Sequence, residues 1–366
     1  MNVQESATIA LLPETVGECH FLVGDSATAR WDQSLTKATE QPVGYSSSHL
    51  AYQHAYFSAA FPDYHSLDHL IAWRGEIVAL CPLAAFRQDG QWVLSSHLNG
   101  VSGVAPPLPL VALSEKASRQ VHQAWLQAIA ALAAVLGSDT RLRFTAPAPM
   151  SNAPDWYRRV LQAGAAAHLR HRMVIDLSLS EADYHRQLRK SYKALINQAR
   201  RLWQVDLDVH GNAECFAEFQ AFHEQVAGRR TRPQATWDEQ LAAIRQGDAF
   251  AIYLREADGR MVGASLYNSS RDEVYYAVGV YDRELFDQPV AHLSLDAAIR
   301  HARTTGRRHL LLGDRPFPGD TVKPSEKEAK IAFFKEGFAT ELQLLPTLEL
   351  KAENLAHLQA HQGTGA

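Results

Sequence analysis

The sequence predicts an α/β (α+β) fold of two tandem domains, each a mixed, mostly antiparallel sheet flanked by helices. Three observations carry this expectation. Short β-branched and aromatic runs alternate with helical patterns along the chain. The stretch Asp272 to Phe338 reads as strand, loop, helix, strand, helix. A matching order of helix, hairpin, third strand, loop, helix, strand, helix and strand also runs through the first half, with little identity left between the halves. The 366 residues are enough for two domains. Their expected divisions are 1–180, a basic connecting helix at 181–204, and 205–366.

The first half is read in order. Cys19 to Val23 is a strand, and Thr28 to Thr36 a short helix with Trp31 and Leu35 inward. Ser46 or Ser47 caps a helix through Phe61, ended by Pro62. His69–Trp73 and Ile77–Cys81 flank Arg74-Gly75-Glu76 as a hairpin, and Trp92–Ser95 is a third strand. The loop from Asn99 to Pro109 is rich in Gly and Pro, with Gly100 and Gly103 within it. An Ala-rich helix follows from Ser114 to Leu136, then strand Arg141–Phe144, helix Asp155–Ala163 and strand Met173–Leu177.

One helix is expected from Glu181 to Trp203, with Leu188, Tyr192, Leu195, Ala199 and Leu202 on its apolar face. Its other side carries Arg186, Arg189, Lys190, Lys193, Arg200 and Arg201, with no acid between Asp183 and Asp206. A phosphate contact and a solvated helix face are equally compatible with such a stripe. The second half continues with strand Val205–Val209 and helix Ala213–Ala227. Helix Trp237–Gln246 follows, capped by Thr236, then a hairpin around Ala257-Asp258-Gly259. Strand Val274–Tyr281, a helix closed by Gly306, strand His309–Gly313 and a helix ending at Phe338 complete it.

Composition narrows the function classes. The chain is 46% hydrophobic and 21% charged, as a packed protein is. A net charge of −4 argues against a general polyanion binder and against DNA as a partner, while allowing a local basic patch. Cys19, Cys81 and Cys215 form neither a disulfide framework nor a zinc spacing, so a reducing, cytoplasmic setting is expected. No secretion signal and no transmembrane segment is read, because the longest apolar helix candidate is too short. His65 and His69, near Asp63 and Asp68, fall in loop and strand, and His168 and His171 fall on opposite faces of a strand. No metal site is therefore expected. No Gly-x-Ser-x-Gly occurs to support a serine triad.

The run Phe333-Phe334-Lys335-Glu336-Gly337-Phe338 before a strand resembles the last helix of GNAT acyltransferase domains. Two such domains joined by a basic segment like Leu188-Arg189-Lys190-Ser191-Tyr192-Lys193 resemble the FemAB-like group. That group includes peptidoglycan bridge-forming aminoacyl transferases and proteins of cell-surface polysaccharide synthesis. The resemblance covers residues 45 to 350, mostly through the order of elements. It implies transfer of an acyl group to an amine or hydroxyl of a sugar, glycan precursor or small amino compound. Acyl-CoA is the implied co-substrate, with no permanently bound cofactor. Aminoacyl-tRNA is the alternative donor, and a non-catalytic binding module the third reading. The pyrophosphate loop of the family usually carries glycines, but Asp287-Gln288-Pro289-Val290-Ala291 has none, and Asp287 would repel a phosphate. The helical hairpin insertion frequent in the bridge-forming enzymes is not evident.

Acyl transfer needs a deprotonated nucleophile, a stabilised oxyanion and aligned reactants. Asp314, at a strand end, is a candidate base, and Arg315 beside it a holder of carboxylate or phosphate. His292, early in a helix, is kept neutral by the helix dipole and is a second candidate base. His223, Arg229 and Arg230 lie before Pro233, where the resemblance places acceptor contacts. Tyr276, in the central strand, joins them as a substrate-side candidate. Arg189, Lys190, Lys193 and Lys335 are the donor-side candidates, and the Lys335 motif points to the second half as the active one.

Overall fold

The computed structural model describes residues 12–98, 102–137, 140–320, 323–351, 354 and 357–358. The expected Gly100 falls outside them. The chain forms two compact units, each assembled from separate stretches. One comprises Met1–Thr39, Phe57–Leu169 and Leu345–Ala366, and the other Glu40–Tyr56 and Arg170–Leu344. These bounds do not coincide with divisions at 180 and 204, and hydrogen bonds give the reason. Gln41 N–H donates to Asp272 Oδ2 at 2.9 Å and Val43 N–H to Glu273 Oε2 at 3.1 Å, while Ser48 Oγ donates to Gln246 Oε1 at 3.0 Å. These bonds bring residues 40–56 into the second unit.

In the first unit, five strands lie in the order Thr15–Val16, Cys19–Val23, His69–Trp73, Glu76–Cys81, Leu108–Pro109. The central hairpin turns on Arg74 and Gly75, both at positive φ, the geometry a two-residue turn demands. A second hairpin pairs Ala84–Gln88 with Gln91–Ser95 around Asp89 and Gly90, also at positive φ. The strand Ala84–Gln88 is missing from the sequence reading, because Pro82 and a short alternating run hid it. Thr347–Leu350 pairs antiparallel with Leu142–Thr145. The expected helix is present as Glu115–Leu136, with the Ser114 hydroxyl accepting from Ala117 N–H. It buries Trp125, Leu126, Ile129 and Leu132 in the core.

His69 is fully buried in this unit, with Nδ1 2.9 Å from the Leu67 carbonyl oxygen. Burial holds its pKa down to about 4. As pH falls below about 6.5 the unfolded chain takes up this proton first, so stability is lost between about 6.5 and 4. This one group contributes a loss of about 3 kcal/mol. Urea unfolding at pH 7 and 4.5 should show it, and His69→Gln should flatten the pH dependence. Equal dependence in both proteins would contradict the assignment.

The second unit is built from α1 (Ser47–Ala60, of which the first ten residues lie here), β1 (Ala166–Asp176, from Arg170 onward), α2 (Glu181–Gln187), α3 (Tyr192–Leu202), β2 (Gln204–Asp208), α4 (Ala213–Ala227), α5 (Gln234–Gln246), β3 (Ala249–Arg255), β4 (Met261–Ser269), β5 (Glu273–Tyr281), α6 (Val290–Thr304), β6 (His309–Asp314), α7 (Glu326–Glu336) and β7 (Glu341–Leu350, as far as Leu344). Its strands lie in the order β2-β3-β4-β5-β6-β1-β7, antiparallel from β2 to β5 and between β6 and β1, and parallel between β5 and β6. The sheet is thus mixed and mostly antiparallel, as expected. The α6 face of Leu293, Leu295, Ala298, Ile299 and Ala302 covers it.

Two helix expectations are corrected. The expected single helix 181–203 is two, α2 and α3, because Leu188 turns extended at ψ 136° and the Arg189 N–H bonds the Gly337 carbonyl at 2.9 Å. Leu202 is consequently 48% exposed, and Ile196 takes the inward place. Helix α5 starts at Gln234 rather than after Thr236. Pro233 opens it with its preset φ, and the Thr236 hydroxyl donates back to the Pro233 carbonyl at 2.7 Å. Among the described residues no helix is long and apolar enough to cross a membrane.

Candidate functional site

The parallel ladder between β5 and β6 is short. Glu273–Tyr275 pair with His309–Leu311, after which the strands part. From there β5 runs on along β4 to Tyr281, while β6 runs along β1 to Asp314. Strands that diverge leave backbone groups without a ladder partner, and such groups are free to meet a ligand.

Tyr276 is the first β5 residue past the ladder. Its ring closes an aromatic row across three strands, stacked 5.1 Å from Tyr267, which lies 5.0 Å from Phe250. A bulge opposite Leu266 and Tyr267 re-aims the strand here. The Tyr276 side chain folds along the strand over Gly279, where a Cβ would lie 1.9 Å from the hydroxyl, so this position needs glycine. The hydroxyl meets that of Tyr281 at 3.0 Å. Burial raises both tyrosines above the usual phenol range.

Lys335 comes from the last turn of α7. Its Nζ donates to the Leu312 carbonyl of β6 at 2.9 Å and sits 4.4 Å from the centroid of the Tyr276 ring of β5. One ammonium therefore spans the divergence. Burial lowers its pKa to about 8, so it still carries a proton for most of the time at pH 7.

Around it lies an aromatic wall. Tyr192 of α3 packs edge-on against His292 at 4.5 Å, and His292 against Phe334 at 4.9 Å. His292 Nε2 is buried with no hydrogen-bond partner, and burial, helped by Arg189, lowers its pKa to about 4. The ring is neutral at pH 7 and is held by aromatic contacts. Arg189 lies over Phe333 at 4.0 Å and Tyr192 at 5.1 Å, and donates to the Phe333 carbonyl at 3.0 Å.

The structure thus gathers Arg189, His292, Tyr276 and Lys335 from four elements, and leaves the other candidates elsewhere. Asp314 accepts two bonds from Arg170, at 2.9 and 3.0 Å, so its carboxylate is engaged as an ion-pair partner. Arg315 pairs with Glu336 at 3.1 Å and lies over Phe317. Lys190 and Lys193 are exposed around the start of α3. His223 lies 5.3 Å from Trp237, and burial, then Arg232, lowers its pKa to about 4. Arg229 and Arg230 are exposed on the α4–α5 connection. The inward arginine there is Arg232, 4.2 Å over Trp237 and 3.4 Å from the Tyr52 hydroxyl, with the buried Gln240 at 3.3 Å.

Sequence reasoning passed over Arg232, and took Tyr192 and Tyr281 as packing residues. Arg232 directly precedes Pro233, a fixed point from which its direction could have been weighed against Arg229 and Arg230. Tyr192 was read as core, and its hydroxyl contact with Phe334 is 142 residues away in sequence. Among the described residues no group of three or more His, Cys, Asp or Glu is placed to hold a metal ion.

In the first unit, where the strands fall into separate five- and three-stranded sheets, the matching place is filled. Val93 bridges Arg141 in parallel, as β5 does β6. The chain then returns and Val104 fills the place beside the next strand, with its N–H on the Arg143 carbonyl at 2.7 Å and its carbonyl accepting from Thr145 at 2.9 Å.

Residues 186–320 match the family described as an acetyltransferase (GNAT) domain. No curated protein matches the sequence. The fold is similar to that in the crystal structure of FemX, at 10% identity and a TM-score of 0.63, covering 90% of this chain and 97% of that one. It is also similar to the C-terminal domain of a putative lysylphosphatidylglycerol synthetase from Agrobacterium fabrum, at 13% identity and a TM-score of 0.56, covering 90% and 95%. A third likeness is to L-PGS from Bacillus licheniformis, at 12% identity and a TM-score of 0.56, covering 90% and 94%. Residues 186–320 are thus similar by sequence to a GNAT acetyltransferase domain, and the chain as a whole shares its fold with FemX and with the two lysylphosphatidylglycerol synthetase structures.

Proposed function

We propose that the chain transfers an acyl group to an amine or hydroxyl of a sugar, glycan precursor or small amino compound, at the gap between β5 and β6 in the second unit. The observation that carries this is the Lys335 ammonium, which touches both strands where they part. A cation in a dry, preorganised setting stabilises the oxyanion that develops as an acyl carbonyl is attacked. The parted strand backbones supply alignment. Lys335 packs on Tyr276 where the strands part and the Tyr276 hydroxyl meets that of Tyr281, a polar set that favours an enzyme over a binding module. In the first unit Val104 occupies the corresponding place, which favours a scaffold role there.

The acceptor side is assigned to the region of Arg232, Tyr52 and Gln240, with His223 at its edge. Acyl-CoA is the favoured donor. The second reading, aminoacyl-tRNA, is supported by two features: Lys190, Lys193 and Arg201 are exposed, and the loop Asp287–Ala291 offers no glycine to approach a pyrophosphate.

Thermal unfolding with coenzyme A, acetyl-CoA or bulk tRNA separates these donors. A ligand that binds only the folded chain stabilises it by about 2.7 kcal/mol at a hundredfold excess over its Kd. The expected result is a shift with coenzyme A that survives moderate salt and is weakened by Lys335→Ala. A salt-sensitive shift with tRNA alone, lost when Lys190 and Lys193 become Ala, would transfer the assignment to aminoacyl transfer.

A further inference from the structure

Arg189 was expected to bind donor, yet its backbone N–H and two of its side-chain N–H groups are engaged at the last turn of α7 and at Tyr192 beside it. Its backbone N–H bonds the Gly337 carbonyl at 2.9 Å. Its Nη2 donates to the Phe333 carbonyl at 3.0 Å, and its Nη1 to the Tyr192 hydroxyl at 2.8 Å. That hydroxyl in turn donates to the Phe334 carbonyl at 2.9 Å. The carbonyls at a helix C-terminus lack intrahelical partners and carry the negative end of the dipole, so a guanidinium is well matched to them. The break between α2 and α3 is what aims Arg189 at this turn.

Lys335 sits inside the clamped turn. Phe334, on one side of it, is held by Tyr192, and Glu336, on the other, by Arg315 at 3.1 Å. Gly337 closes the turn against the Tyr192 ring, with no room for a Cβ. The lysine has therefore little freedom to swing out to water, although its ammonium touches a carbonyl and a ring face and, among the described residues, no carboxylate.

We propose that Arg189, acting with the Tyr192 hydroxyl, is a positioning residue: it clamps the last turn of α7 so that the Lys335 ammonium stays between β5 and β6. The functional weight of this rests on the reading that Lys335 meets the acyl donor. The clamp itself does not.

The test is the titration of Lys335 in the full chain, followed by NMR of 13Cε-labelled lysine and assigned with Lys335→Met. In the wild type the group titrates near 8, burial being the cause. Arg189→Ala is expected to raise that midpoint by at least one pH unit as the turn loosens and water reaches the ammonium. Arg189→Lys, which can still reach the Phe333 carbonyl, should restore part of the shift. Tyr192→Phe keeps the ring against His292 and Gly337 and deletes only the hydroxyl, so it carries the test if Arg189→Ala fails to fold. A folded Arg189→Ala and a Tyr192→Phe that both leave the Lys335 midpoint unmoved would overturn the clamp, as would an Arg189→Ala that raises only the KM for donor. Because this readout needs no turnover, it separates from the functional reading. A moved midpoint with full activity in Lys335→Met would keep the clamp and remove the proposed role of Lys335.

Discussion

Replacing Lys335 with methionine is expected to abolish acyl transfer and at the same time to stabilise the folded chain at pH 7. The activity loss should be about 10²- to 10³-fold, the usual cost of removing one donor to a developing oxyanion. The stability gain follows from the low pKa. Burial holds Lys335 at about 8, while the unfolded chain titrates near 10.4. Between these values the unfolded state binds more protons, so wild-type stability rises with pH across that window. Below about 8 the cost of burying the charge is fully present. It amounts to about 2 kcal/mol after allowance for partial exposure, and the lost bond to Leu312 returns about 1 kcal/mol of it. Urea unfolding should therefore show the variant more stable at pH 7, with the advantage gone above about 10.5. A variant that keeps wild-type turnover, or that is no more stable than the wild type at pH 7, would contradict this.

Gly337→Ala is expected to have a large, purely steric effect. The glycine has φ −65°, so alanine meets no backbone strain. The added Cβ would lie 2.4 Å from the Tyr192 ring, and either the ring or the turn must move. Overpacking of this kind costs about 1 to 3 kcal/mol. The upper end applies here because the same ring also packs on His292 and Phe338. A double-mutant cycle with Tyr192→Leu isolates the cause. In the Tyr192→Leu background the alanine should cost close to nothing. The same cost in both backgrounds would show that the clash is elsewhere.

These two residues also show what the sequence made legible. The motif from Phe333 to Phe338 located the second half as the place to look, and strand and helix patterns there matched the fold closely. The ends of β5 and α6 were readable because β-branched runs and a 3.6-residue period are local signals. The reason for Gly337 was not local. It depends on Tyr192, which the sequence suggested only as one apolar position in a long helix. The break at Leu188 was hidden for the same cause, since the bond from Arg189 to Gly337, 148 positions later, overrides helix propensity. Asp314 looked open because nothing nearby in sequence could occupy it, and Arg170 reaches it from β1. The hairpin at Asp89-Gly90 was signalled by its turn residues, but its first strand was too short to recognise alone. Composition and spacing thus identify elements and candidate residues, whereas partners set by tertiary contact decide which candidates face one another.

The measurement that bears most directly on where acyl transfer occurs is hydrogen–deuterium exchange with saturating donor, using whichever of acetyl-CoA or tRNA raises the unfolding midpoint. Slowed exchange is expected at residues 276–281 of β5, 312–314 of β6 and 333–337 around the last turn of α7, and should be lost in Lys335→Met. Slowed exchange around residues 93–104 of the first unit, with none at β5 and β6, would contradict the assignment of the gap as the acyl-transfer site.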